Sequence, residues 1–375
     1  MGWSIKLGRV LGIDVKMHLT FLLILIWGAF VYGGEAGPLY GVIVTLGLFT
    51  LVFLHELGHS LAAMLYGIGV KDITLLPIGG VARLERMPEK PAQELVVALA
   101  GPAVNVVLAL VLLPVTVALS VAQGIPLTLY ALTQPGLVGF LTFLLSANVS
   151  LALFNMIPAF PLDGGRVFRA TLGFFTSYQQ ATKVAAIVGR TLAIGLGLVA
   201  IFAGQIWLAF IALFIFFVGG QEAQVVAARS VLRQAQAGQV LARNTVALSP
   251  QATVGQAGSM LFSARQNDFV VMDPVNGELI GVLSSNKLMQ ALQQGQWYRR
   301  VSEIMEQARH IPRVAATAPL DEVQDKLSQT SSRVAAVYDG LHFKGLISLD
   351  DIYRTFRLLS QEGRNGRRVG WQTAA

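Results

Sequence analysis

Long apolar runs fill the first 220 residues of the chain and then give way to short ones set among charged positions. The long runs lie at roughly 18–33, 39–66, 95–121, 137–157, 184–203 and 206–220, and the fourth continues through a broken segment to about 176. A helix needs ~20 apolar residues to cross a bilayer core. The pattern therefore predicts about six transmembrane helices, with soft boundaries for the first and last. Gly33-Gly34 and Gly37-Pro38 read as the turn between the first two spans. Lys6, Arg9 and Lys16 precede the run from Leu19 to Tyr32, and no small-residue cleavage site follows, so this is not expected to be a cleaved signal. Residues 221–238 read as a helical linker ending near Gly238, and the remainder as a water-soluble α/β domain.

Composition sharpens this division. Of 375 residues 54% are hydrophobic and only 13% charged, about half the usual charged share of a soluble protein. Residues 1–220 hold 11 Lys/Arg and 8 Asp/Glu, and residues 221–375 hold 17 and 13. The net charge of +7 thus divides into +3 and +4. With no dense basic run outside a short tail, it reads as topology signal and solvated surface, and no nucleic-acid partner is expected. The loops containing Lys71, Arg83, Arg86 and Lys90, and Arg166, Arg169 and Lys183, alternate with the segments 33–38 and 122–136, which hold no Lys or Arg. By the positive-inside rule both termini face the cytoplasm, as in a multi-pass cell-membrane protein. With no cysteine in the chain, any metal must be held by histidine and carboxylate.

Ionisable residues inside membrane spans are functional candidates by default. The second span carries His55-Glu56-Leu57-Gly58-His59. Residues four apart share a helix face, so two imidazoles can grip one zinc ion, while Glu56, one residue round, can reach a metal-activated water as general base. A catalytic zinc usually takes three protein ligands. Asp163, in Asn155-Met156-Ile157-Pro158-Ala159-Phe160-Pro161-Leu162-Asp163-Gly164-Gly165, is the better third ligand; His18, at the start of the first span, is the next candidate. A helix cap or turn is the competing role for Asp163. Broken backbone at membrane depth is tolerated where it lines a buried site. Asn155 can donate a hydrogen bond to a substrate carbonyl, or it can bond to another helix. Asn105, after Gly101-Pro102, is read as packing, with close helix approach and an interhelical hydrogen bond.

These segments resemble the site-2 proteases, intramembrane zinc metalloproteases. The resemblance rests on the His55–His59 motif, Leu162-Asp163-Gly164-Gly165, Pro77-Ile78-Gly79-Gly80-Val81-Ala82 and Gly101-Pro102-Ala103-Val104-Asn105, and covers nearly the whole membrane half. It implies His55, His59 and Asp163 as ligands of one zinc ion, Glu56 as catalytic acid/base and Asn155 near the reacting centre. Gly79 and Gly80 are either a plain turn or, as the resemblance suggests, an edge near the substrate, where glycine lets an extended substrate backbone approach.

The soluble half contains two copies of one pattern. Val246–Pro250, a helix, Phe269–Met272, Leu279–Ser284 and a helix at Asn286–Leu292 are followed by Ile311–Val314, a helix near 320–329, Val334–Tyr338, Phe343–Ser348 and a helix at Asp350–Leu359. The pattern resembles a tandem pair of cystathionine-β-synthase (CBS) domains. That resemblance implies an adenine nucleotide at Ser348 and Asp351. In the first copy Ser284 is followed by Lys287 where the acid should be, which puts that second site in doubt. The alternative role of the pair is assembly, as a homodimer platform.

The expected domains are a membrane-embedded metalloprotease at 1–220, a linker at 221–239, a CBS pair at 240–360 and a mobile tail at 361–375 containing Arg364, Arg367 and Arg368. The expected function is hydrolysis of a peptide bond in or near a transmembrane segment of a protein substrate in the bilayer, regulated by the CBS pair. Two other readings compete: a CBS-regulated metal-ion transporter, which leaves Glu56 unexplained, and a receptor that binds membrane helices without cutting them.

Overall fold

A computed structural model describes residues 3–88, 90–127, 135–241, 246–264, 268–330 and 332–365. The chain divides into two compact units, Met1–Gln224 and Val225–Ala375.

The first unit is built on helices α1 (Phe21–Val31), α2 (Pro38–Leu65), α3 (Pro91–Gln123), α4 (Leu137–Asn155), α5 (Asp163–Gly173), α6 (Tyr178–Phe202) and α7 (Ile206–Leu232). Five of them, α2, α3, α4, α6 and α7, are long and apolar enough to cross a membrane, whereas α1 is a shorter apolar helix. The first expected span is shortened at both ends: His18 closes a strand, residues 19–20 form a turn, and the helix stops at Val31. Stop signals are local. α2 starts with Pro38 in its first turn, where a missing N–H costs nothing. It stops at Tyr66-Gly67, where Gly67 has φ +68°, a left-handed conformation that favours glycine. α4 ends at Asn155, and the Pro- and Gly-rich segment turns the chain, through a cis Phe160–Pro161 bond, into α5.

A four-stranded sheet in this unit has no counterpart in the hydropathy reading. Its strands are β1 (Ser4–Val10), β2 (Ile13–His18), β3 (Val70–Leu76) and β4 (Gly79–Leu84), in the order β1-β2-β3-β4. The N-terminal hairpin pairs in parallel to β3 through β2, and β4 is an edge strand. Asp72 of β3, 2% exposed, ties three neighbouring strands together. Arg83 bonds both its oxygens, at 2.7 Å from Nε to Oδ1, and Lys16 Nζ lies 2.7 Å from Oδ2. The Arg83 hydrogen bonds foremost, with Lys16, hold the Asp72 carboxyl down to about 2 despite burial.

The second unit begins within the last turns of α7 and continues through α8 (Ala237–Val240). Two repeats follow with the same order. The first has β5 (Ala247–Leu248), α9 (Val254–Ala264), β6 (Asp268–Met272), β7 (Leu279–Ser284), α10 (Ser285–Gln293), α11 (Val301–Ile304) and β8 (Glu306–Gln307). The second has β9 (Arg313–Ala315), α12 (Leu320–Gln329), β10 (Val334–Asp339), β11 (His342–Ser348) and α13 (Leu349–Asn365). In each, a parallel strand pair flanks a helix and an antiparallel strand follows. Val270, Val282, Ile311, Val334, Ala336 and Leu346 pack the two sheets together. Leu232, Ala235 and Ala237 fill the core of the second repeat. α13 reaches Asn365, past residue 360 where the tail was expected to begin; residues 366–375 lie outside the described residues.

Candidate metal centre and active site

His55 and His59 project from one face of α2, and Asp163 opens α5. All three are buried. Among the described residues they form the one His/Asp/Glu group able to hold a metal ion, with ligand atoms within 4.8 Å of one another. The two Nε2 atoms are 3.1 Å apart, and each is 3.1 Å from Asp163 Oδ2.

The hydrogen bonds at the outer ring nitrogens define what this triangle is. His59 Nδ1 lies 2.7 Å from the Val97 carbonyl oxygen, which can only accept, so that nitrogen carries the proton. His55 Nδ1 bonds Asn105 Oδ1, and Asn105 Nδ2 in turn donates to Asn148 Oδ1. In the neutral tautomers that these bonds favour, both Nε2 atoms turn their lone pairs toward each other and toward the Asp163 carboxylate. Three buried acceptors converging in this way repel unless a cation sits among them. Zinc bonds of ~2.0–2.1 Å in a tetrahedron put ligand atoms ~3.3 Å apart. The observed 3.1 Å edges fit that size, and nitrogen and carboxylate donors fit that ion.

Glycine makes this approach possible. A Cβ on Gly101 of α3 would lie 2.2 Å from His59 Nε2 and 2.8 Å from His55 Nε2. Gly58 lets the same two helices meet, since its Cβ would stand 2.9 Å from the Ala100 carbonyl oxygen. Glu56 points to the sheet: its Oε2 accepts from the Ala82 backbone N–H of β4 at 3.1 Å. A Cβ on Gly80 would fall 2.6 Å from Glu56 Cγ. Edge strand β4 and Glu56 are thus in direct contact.

The other sequence candidates divide. His18 is at the end of β2 with its Nδ1 2.7 Å from Thr20 Oγ1, apart from the triad. Asn155 is the last residue of α4 and half-buried, and among the described residues its side chain makes no hydrogen bond to the triad. Gly79, with φ +138°, opens β4. In the second unit Ser348 precedes α13, and its N–H and Oγ both donate to Asp351 Oδ2, at 3.0 and 2.6 Å, while Asp351 N–H donates to Ser348 Oγ. This is a capping box. Ser284 caps α10 through the Lys287 N–H, with no reciprocal acid.

Sequence reasoning placed an interhelical hydrogen bond at Asn105 but not its partner, the ring of His55. The second asparagine inside a span, Asn148, was the available signal. The role of the Val97 carbonyl has no sequence signal at all.

A histidine pair and an aspartate buried among membrane-spanning helices, with a glutamate between the histidines, define a membrane-embedded metallohydrolase. The model of peptidase family M50 matches residues 43–199. The zinc metalloprotease MJ0392 of Methanocaldococcus jannaschii is 32% identical over 362 residues, covering 96% of this chain and 98% of the relative. The solved site-2 protease from Methanocaldococcus jannaschii is 36% identical, covering 59% of this chain and 95% of that one, with a TM-score of 0.43. The CBS-domain containing protein ATU1752 from Agrobacterium tumefaciens is 19% identical, covering 34% of this chain and 91% of that one, with a TM-score of 0.28. The chain belongs to peptidase family M50, the zinc metallopeptidases of the site-2 protease type.

Proposed function

We propose that this multi-pass membrane protein hydrolyses a peptide bond within or near a transmembrane segment of another membrane protein, using a centre built from His55, His59, Asp163 and Glu56. The observation that carries this reading is the triangle of two imidazole Nε2 atoms and one carboxylate oxygen, with Glu56 on the intervening helical turn. His55, His59 and Asp163 would hold the zinc ion. When bound, zinc supplies Lewis acidity toward a water and a peptide carbonyl. Asn105 and the Val97 carbonyl fix both imidazole tautomers, so that Nε2 keeps its lone pair. Glu56 takes the proton of the attacking water and returns it to the leaving amine. Asn155 donates to the oxygen on which charge develops.

His55 and His59 precede the end of α2 at Leu65 by roughly 15 and 9 Å at ~1.5 Å per residue. The centre would therefore lie inside the bilayer near the cytoplasmic face, with both termini cytoplasmic. A substrate segment must unwind there to offer its backbone. Edge strand β4, opened by Gly79 and Gly80, is the surface on which that backbone would pair. The expected domains are 1–220 for catalysis, 221–239 as linker and 240–360 as the regulatory CBS pair, followed by a tail; α7 leads into the repeats, and its Leu232 packs in their core. Ser348 and Asp351 would hold an adenine nucleotide, and the repeats would serve as the dimer platform.

Glu56→Gln tests the chemistry. It should keep zinc and lose cleavage of a membrane-embedded substrate; wild-type cleavage would overturn the mechanism. Tags after Gly34 and Gln123 should be labelled from outside the cell, and tags after Met87 and Gly238 should not. Asp351→Ala should weaken binding of ATP, ADP or AMP to the full chain in calorimetry, without changing zinc content.

A further inference from the structure

Arg169 lies on α5, six residues beyond Asp163, and is 1% exposed. Its Nε donates to Glu94 Oε1 on α3 at 2.7 Å, and its Nη2 reaches the same oxygen at 2.5 Å. Its Nη1 donates to Glu222 Oε1 on α7 at 2.9 Å. The guanidinium is stacked between two rings, 4.8 Å from the centroid of Phe160 and 4.8 Å from that of Tyr178. One planar fork thus ties α3, α5, α7, the loop before Asp163 and the start of α6. A buried charge with this many fixed partners cannot slide without leaving one of them unpaired.

The arrangement bears on the metal triangle from both sides. Glu94, Ala98, Gly101 and Asn105 share the buried face of α3, at helical spacing. That face holds His55 through Asn105 and makes room for both rings at Gly101. Its other end is pinned by Glu94 to the helix that begins with Asp163. α7 also presses on the loop that leads into Asp163, where a Cβ on Gly219 would be 2.7 Å from the Phe160 carbonyl oxygen.

We propose that Arg169 is a positioning residue for the metal centre: by clamping α5 to α3 through Glu94 it sets the distance of Asp163 from the two imidazoles, and through Glu222 it makes that distance depend on α7. The proposal rests on the reading of His55, His59 and Asp163 as metal ligands. Removal of groups that orient metal ligands typically lowers metal affinity ~10–100-fold.

The test uses the full chain, stripped of metal in detergent, titrated with zinc against a competing chelator and separately with cobalt, whose visible spectrum reports the ligand geometry. Arg169→Met should weaken zinc binding at least ~10-fold and alter the cobalt bands. Arg169→Lys, a point charge without the fork, should restore part of the affinity. Glu222→Gln, on the more exposed arm of the clamp, should shift the cobalt spectrum with a smaller loss of affinity. Asp163→Ala separates the two readings. If it binds cobalt with the wild-type spectrum, the ligand assignment has failed. If it loses binding while the clamp variants keep wild-type affinity and spectrum, the positioning role alone is wrong. Should Arg169→Met not fold, Arg169→Lys and Glu222→Gln decide: wild-type behaviour in both overturns the proposal.

Discussion

Gly101→Ala sets two physical effects against each other with opposite signs. Inside a helix, replacing glycine by alanine normally stabilises by about 1 kcal/mol, since alanine loses less backbone freedom. At position 101 the new methyl would stand 2.2 Å from His59 Nε2, 2.6 Å from His59 Cε1 and 2.8 Å from His55 Nε2. His59 would have to retreat by at least about 1.2 Å before the contact became ordinary. Zinc–nitrogen bonds tolerate only about 0.2 Å of misplacement, so the ring can stay in the site or clear the methyl, but not both. Overpacking a well-filled core costs about 1–3 kcal/mol, which already cancels the helix gain. Losing one of three ligands should exceed the ~100-fold upper range for an orienting residue, about 2.7 kcal/mol or more. The assay is zinc content and chelator competition, with thermal unfolding measured with and without zinc. A ligand that binds only the folded state raises stability by RT ln(1 + L/Kd), where L is the free ligand concentration, so the gain grows with the ratio of free ligand to its dissociation constant. The wild type should therefore unfold at a higher temperature with zinc, and Gly101→Ala should show little response. Stoichiometric zinc at wild-type affinity in Gly101→Ala would refute the reasoning.

Three other outcomes follow from the same geometry. Asn105→Ala should lower zinc affinity ~10–100-fold by freeing the His55 ring, measured by the same competition. Gly80→Val should retain zinc but cut cleavage by ~100-fold or more, because its side chain displaces Glu56; unchanged cleavage would disconnect β4 from the base. Asp72, held down to about 2 by Arg83 and Lys16, has a folded pKa below its unfolded value. Its contribution is therefore complete above about pH 4 and lost as the pH falls toward about 2, amounting to about 1–2 kcal/mol once the half-exposed Arg83 is allowed for. Metal-free wild type should lose stability across that window relative to Asp72→Asn, and parallel pH curves of the two would exclude it.

The candidate metal ligands were legible in the sequence because a bilayer makes every ionisable residue expensive. Histidine at 55 and 59, glutamate at 56 and aspartate at 163 stand out against apolar runs, and the structure gathers two imidazoles and one carboxylate from 108 residues apart. The sheet was much less legible. Ser4–Val10 and Ile13–His18 do alternate polar and apolar residues, the period of a strand, but so short a pattern beside a long hydrophobic run reads as the lead-in to a span. That is also why the first helix came out as only Phe21–Val31. Arg83 and Lys16 illustrate the same limit. Counted as loop charges they report topology; in the fold they meet on Asp72, and nothing in the spacing of 16, 72 and 83 announces it.

What the sequence could not convey is why the remaining polar residues sit where they do. In hydrocarbon a polar atom is satisfied only by another polar atom, so one buried donor demands a second. From the triad the demand runs outward through His55 to Asn105 and on to Asn148, and through His59 to the Val97 carbonyl. One turn toward the start of α3 it resumes at Glu94, crosses to Arg169 and ends at Glu222, which is partly exposed. Two atoms of this network, Glu94 Oε2 and Asn148 Nδ2, have no hydrogen-bond partner among the described residues. Each link is a weak signal taken singly, an asparagine or a glutamate near a helix end. On the reading proposed above they would together hold His55, His59 and Asp163 in place for a cation, which would explain why an otherwise apolar bundle keeps so many polar groups at its centre.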